Sequence, residues 1–96
     1  MRAATGENNM TSTELQKLAD SLHALSEKAK SKIDPCEDRG FALKPRDDGP
    51  QSSECKDAYD CADYFAFLRR ELHSAFNSIT DAVESLKFLE SKGETL

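Results

Sequence analysis

The chain has no tryptophan, only three prolines and four glycines, and no long apolar run. Nothing in it approaches the roughly 18 consecutive apolar residues that span a bilayer, so no membrane role is expected. Residues Met1 to Met10 are polar and hold no apolar segment of the secretory kind, which makes the cytoplasm the expected location. Phosphate-cradling loops are missing as well. Gly6, Gly40, Gly49 and Gly93 are scattered, and neither G-x-x-x-x-G-K nor G-x-G-x-x-G occurs. Between Asp34 and Asp48 there is no D-x-D-x-D-G run, so EF-hand spacing fails.

Cysteine is scarce and oddly placed. Cys36, Cys55 and Cys61 make neither a C-x-x-C pair nor an even set. On one helix Cys55 and Cys61 would lie about 9 Å apart along the axis, beyond the roughly 7 Å reach of a disulfide. A bridge between Cys36 and Cys55 could close a loop in an oxidising compartment. Reduced thiols are the expectation in the cytoplasm.

Positive charge is in deficit. Eighteen acidic residues against thirteen basic ones give a net charge of −5, a surface that repels nucleic-acid phosphates. Nucleic acid is therefore not an expected partner, although an acidic surface can imitate one. The apolar fraction is 38% and the charged fraction 32%, a balance that suits a thin helical structure. A chain of 96 residues makes one small domain, which buries only about two-thirds of its unfolded surface and gains from oligomerisation.

What the sequence does contain is helix. Residues 1–10 offer nothing to bury and read as a disordered arm. Thr11 followed by Glu14 is a capping box, in which each side chain satisfies the other's free backbone N–H. Leu15, Leu18, Leu22, Leu25 and Ala29 then recur at spacings of three and four, widened by Ala19 and Ile33. The expected first helix runs over 12–33 and ends at Asp34-Pro35, because a proline disfavours helical geometry in the residue before it. Residues 34–53, punctuated by Pro35, Gly40, Pro45, Gly49 and Pro50, read as a linker. Its cluster Phe41-Ala42-Leu43 either packs back on the helices, the favoured reading, or forms a partner-binding tip.

The second helix is expected over 54–92, capped by Ser52 or Ser53 and ended by Gly93, with 94–96 as a tail. Its register is unbroken: Ala58, Cys61, Phe65, Leu68, Leu72, Ala75, Ile79, Ala82, Leu86, Leu89. Phe65, Leu72, Ile79 and Leu86 make one large set, while Cys61, Ala75 and Ala82 in the other set allow a neighbouring helix to come close. Phe76 and Val83 widen the face beyond a two-stranded seam. At 1.5 Å per residue the second helix exceeds the first by about 25 Å. The expected fold is thus all-α: a two-helix antiparallel hairpin with a long linker, completed as a four-helix bundle in a homodimer. A partner protein could take the place of the second copy.

Chemistry is hard to find. His23 and His73 each follow a seam leucine and point to the edge of the apolar face. Zinc needs four convergent ligands, and His73 has only Arg69 and Asn77 at its helical neighbours four residues away. A Cys61–His nucleophile pair would need a pocket that two long helices rarely provide. No enzyme, metal or cofactor is expected. Arg69 and Arg70 form the one basic pair of the second helix and read as a solvated face.

Glu54, Asp57, Asp60 and Asp63 recur every third residue at the start of that helix. Acids there complement the helix dipole, each by about 0.3–1 kcal/mol, but the benefit fades beyond the first turn. Tyr59, Phe67 and Phe88 stand off the seam, and aromatic side chains are enriched where proteins meet. Tyr59, Asp60, Asp63 and Phe67, with Phe41 and Leu43 of the linker, form the candidate partner-binding set. The competing reading covers Phe67 with the Phe41–Leu43 segment.

No motif defines a known family. Secreted hairpins built around a Trp-x-Gly turn are excluded by the missing tryptophan, and the short turn of secretion-needle subunits by the linker length. The expected function is a non-enzymatic protein-binding regulator or adaptor of the inhibitor type. Alternatives are a structural or assembly subunit, such as a helical sheath or secretion component, and an acidic mimic of nucleic acid.

Overall fold

A computed structural model describes residues 10–45 and 49–96. Of the arm expected over residues 1–10, residues 1–9 lie outside the described residues, as do linker positions 46–48. The described chain is all-helical: α1 (Ser12–Lys30), α2 (Ile33–Ala42) and α3 (Ser53–Ser91). Among the described residues no helix is long and apolar enough to cross a membrane.

The helix ends follow from their capping residues. Thr11 Oγ1 accepts the Glu14 N–H at 3.2 Å, and Glu14 Oε1 accepts the Thr11 N–H at 3.1 Å, which closes the capping box. Ser52 Oγ accepts the Cys55 N–H at 3.1 Å at the start of α3. At its far end Gly93 adopts φ 83°, with Glu94 N–H on Leu89 O and Gly93 N–H on Glu90 O, both at 3.0 Å. This is a Schellman turn, and the left-handed backbone is open to glycine without strain.

Two expectations are corrected here. The first helix stops at Lys30, and the segment read as a linker contains α2. Pro35 accounts for both. It has no N–H to donate to Ser31 O, and its ring crowds that carbonyl, so the chain breaks at Ser31-Lys32. Pro35 itself is the third residue of α2, where an N–H would have no partner within the helix. The proline thus ends one helix at Lys30, five residues upstream, and starts another.

Both short helices run antiparallel to α3. Ser12 binds Glu90 and Ser26 Oγ donates to Arg69 O at 3.2 Å, which lays α1 along the C-terminal part of α3. Cys55 Sγ donates to Gly40 O at 3.2 Å, which lays α2 along its N-terminal part. The length that α1 cannot cover is therefore covered by α2. With extents of 70 × 25 × 15 Å, the molecule is a layer little more than one helix thick.

The contact line is built of small residues. Ser12, Ala19, Ser26 and Ala29 of α1, Cys36 and Gly40 of α2, and Cys55, Ala58 and Ala62 of α3 are buried, joined near the far end by Val83 and Leu86. Of the expected seam, only Ala19, Ala29, Ala58, Val83 and Leu86 lie on this line. Leu15, Leu22, Phe65, Leu72, Ala75, Phe76 and Ile79 are half-buried, and Leu18, Leu25, Cys61, Leu68, Ala82 and Leu89 are exposed. Alanine and serine let the backbones approach closely, so the helices rotate towards them and the leucines turn outward.

Two outcomes test this packing. A Cβ on Gly40 would lie 3.0 Å from Cε2 and Cζ of Tyr59, so Gly40→Leu should overpack the α2–α3 contact and cost about 1–3 kcal/mol in urea unfolding. Glu90 receives the Ser12 hydroxyl at 2.6 Å and the Ser12 N–H at 2.9 Å, and these bonds hold its carboxyl below the ordinary value of 4.5. A depressed carboxylate stabilises the fold above its unfolded pKa and loses that effect as pH falls through the folded one. Glu90→Gln should therefore lower the melting temperature at neutral pH, and the gap from the natural protein should shrink on acidification below about pH 4.5.

Candidate interaction surface

Two surfaces stand out, one apolar and one mixed. The apolar one is the side of the α1–α3 pair left open by the small-residue contact. Leu18 is 46% exposed and Leu25 50% on α1, and Leu68 is 45% and Leu89 43% on α3. Between the helices runs a groove of about 180 Å³ lined by Leu25, Ala29, Phe65, Leu68 and Leu72, with Lys28 and Lys32 at its rim. It continues into a hollow of about 230 Å³ lined by Cys61, Tyr64, Phe65 and Leu68. Small-molecule sites usually enclose roughly 300 Å³ or more, so these open grooves suit a protein side chain better.

The mixed surface holds the expected partner set, and the structure divides it. Phe67, Asp60 and Asp63 are exposed together on α3. Tyr59 is not with them; its ring is half-buried against Gly40. Phe41, 71% exposed, and Leu43 lie at the end of α2, so the linker cluster does not pack back and does not bury Phe67. Each solvent-facing phenylalanine instead has a cation close by on its own chain. Lys44 Nζ lies 6.0 Å from the Phe41 ring centre, Arg70 Cζ 5.3 Å from Phe67, and Lys92 Nζ 5.5 Å from Phe88. Spacings of three or four residues put these pairs on one helical face, and each contributes about 0.5–1 kcal/mol at an exposed site.

Tyr64 was missed by the sequence reading, though its position three after Cys61 and four before Leu68 places it beside the open stripe. Arg70 stacks over Phe67, so it is not simply solvated. Arg69 is half-buried, and its Nε has no hydrogen-bond partner among the described residues.

The remaining chemistry-bearing groups do not converge. His23 and His73 flank Phe76, with ring centres 5.1 and 6.1 Å from it. No group of three or more His, Cys, Asp or Glu able to hold a metal occurs among the described residues. A concavity of about 410 Å³ lies at the elbow between α1 and α2, lined by Glu27, Lys30, Ser31, Ile33 and Asp34 and open to solvent. All three cysteines are free; Cys36 and Cys55 are buried between α2 and α3, and Cys61 is exposed.

The described residues thus form an all-helical arrangement of one long helix and two shorter ones. No protein-family model matches the chain, and neither a curated protein nor a solved structure matches it.

Thiol accessibility gives a direct check on this placement. Cys61 should react with a disulfide reagent at once in the native protein, whereas Cys36 and Cys55 should react only at the rate of unfolding. Equal, rapid labelling of all three would contradict the α2–α3 packing.

Proposed function

We propose that the chain is a non-enzymatic regulator or adaptor of the inhibitor type, which acts through helical protein–protein contacts. In this reading it is a homodimer whose helices form a bundle across the open leucine face, and it engages a larger protein through Phe67, Asp60 and Asp63 of α3, with Phe41 and Leu43 at the end of α2. The observation that carries the reading is the pair of exposed leucine rows, Leu18 and Leu25 beside Leu68 and Leu89. A continuous apolar strip on so thin a molecule marks a contact surface, because water against it is costly.

The support for contact over catalysis is chemical. The grooves beside α1 and α3 are apolar, and among the described residues no three or more His, Cys, Asp or Glu gather into a group that could hold a metal. The support for the aromatic and acidic strip is its composition: an exposed phenylalanine with its own cation, flanked by two aspartates, offers an anchor and a polar rim.

A tagged chain returned to its own cells tests the strip. A partner held by the natural protein should be lost with Phe67→Ala, a drop of at least tenfold in retention, while helicity by circular dichroism stays the same. Retention of that partner by Phe67→Ala at the natural level would contradict the assignment.

A further inference from the structure

One stripe of the open face carries its own partner. Cys61, Leu68, Ala75, Ala82 and Leu89 repeat every seven residues along α3, and all but the half-buried Ala75 are exposed. The order of sizes is small, large, small, small, large. Reversed and laid on itself about Ala75, this order is complementary: Leu89 falls on Cys61, Leu68 on Ala82, and Ala75 on its own copy.

We propose that this stripe docks on the same stripe of a second copy, the two α3 helices antiparallel about a twofold axis at Ala75. The proposal rests on the dimeric reading above and fixes its geometry. Neighbouring registers are worse. A shift of one heptad one way sets Leu68 against Leu89 and Ala75 against Ala82, a clash beside a gap. The opposite shift sets Leu89 against Glu54, a charge on an apolar side chain. A parallel pair stacks Leu68 and Leu89 each on itself and leaves alanine against alanine between them.

Charge and area agree with the antiparallel register. It places Lys92 of the second copy at the level between Asp57 and Asp60, and Glu71 within one residue of the level of Ser78, so no like charges meet along that edge. From Cys61 to Leu89 the stripe is about 42 Å long. With α1 alongside for about 28 Å and about 10 Å per helix width, the face covers on the order of 700 Å² per copy. Stable complexes use about 800 Å² per partner, so the face is of the right size. Small residues at the centre allow the close approach of helix axes that such packing requires.

The register is tested by cross-linking the full chain under mild oxidation. Leu89→Cys should form a disulfide-linked dimer with the natural Cys61 of the other copy, and Cys61→Ser should abolish it. The natural protein should not cross-link, since its two Cys61 residues would be about 42 Å apart. Ala75→Cys in a Cys61→Ser background should cross-link to itself, which provides a second variant should Leu89→Cys fail to fold. Absence of both cross-links, or a Cys61–Cys61 cross-link in the natural protein, would overturn the proposal. Sedimentation of the same samples under reducing conditions separates the cases: a dimer lacking these cross-links refutes the register alone, and a monomer refutes the dimeric reading with it.

Discussion

Close approach between backbones along a line of small residues governs this molecule. Ser26 reaches the Arg69 carbonyl, and Cys55 reaches the Gly40 carbonyl, contacts available only where side chains are short. Along that line alanine, serine, glycine and cysteine fill the interface that leucine was expected to fill. The consequence is geometric. Helices that meet on their small faces present their large ones elsewhere, and among the described residues nothing further covers them. The apolar surface of the chain is thus a product of how its core is made.

Much of the local structure was legible. Thr11 with Glu14, Ser52, and Lys92-Gly93 each carry a capping signal that depends only on adjacent residues, and each marks a real boundary to within a residue. The unbroken period of α3 was legible for the same reason. What could not be read was the choice of face. The leucines and the small row Ser12, Ala19, Ser26 both recur at heptad spacing on α1, and the sequence does not say which row a neighbour selects. The α2 helix was hidden by Pro35, which signals a stop to the chain before it and a start to the chain after it. Cys36 and Gly40, four apart and both small, were the available sign that this segment had a buried face.

The surface divides in the same way. Exposure of Phe67 and Phe41 follows from the position of α2, which no local pattern specifies. Tyr59 was grouped with Phe67 by spacing, but α2 comes down on Gly40 and takes the tyrosine ring for its own contact. The excess length of α3 over α1 is covered by α2. What stays open is the width: one side of the α1–α3 pair keeps its leucines exposed.

Sedimentation equilibrium of the purified chain, from micromolar to millimolar concentration, addresses that openness most directly. The account requires a species of twice the 10.7 kDa chain mass that replaces the single chain as concentration rises and then stops growing. A single-chain mass across the whole range would mean that the leucine side is stable against water, and the account would be wrong.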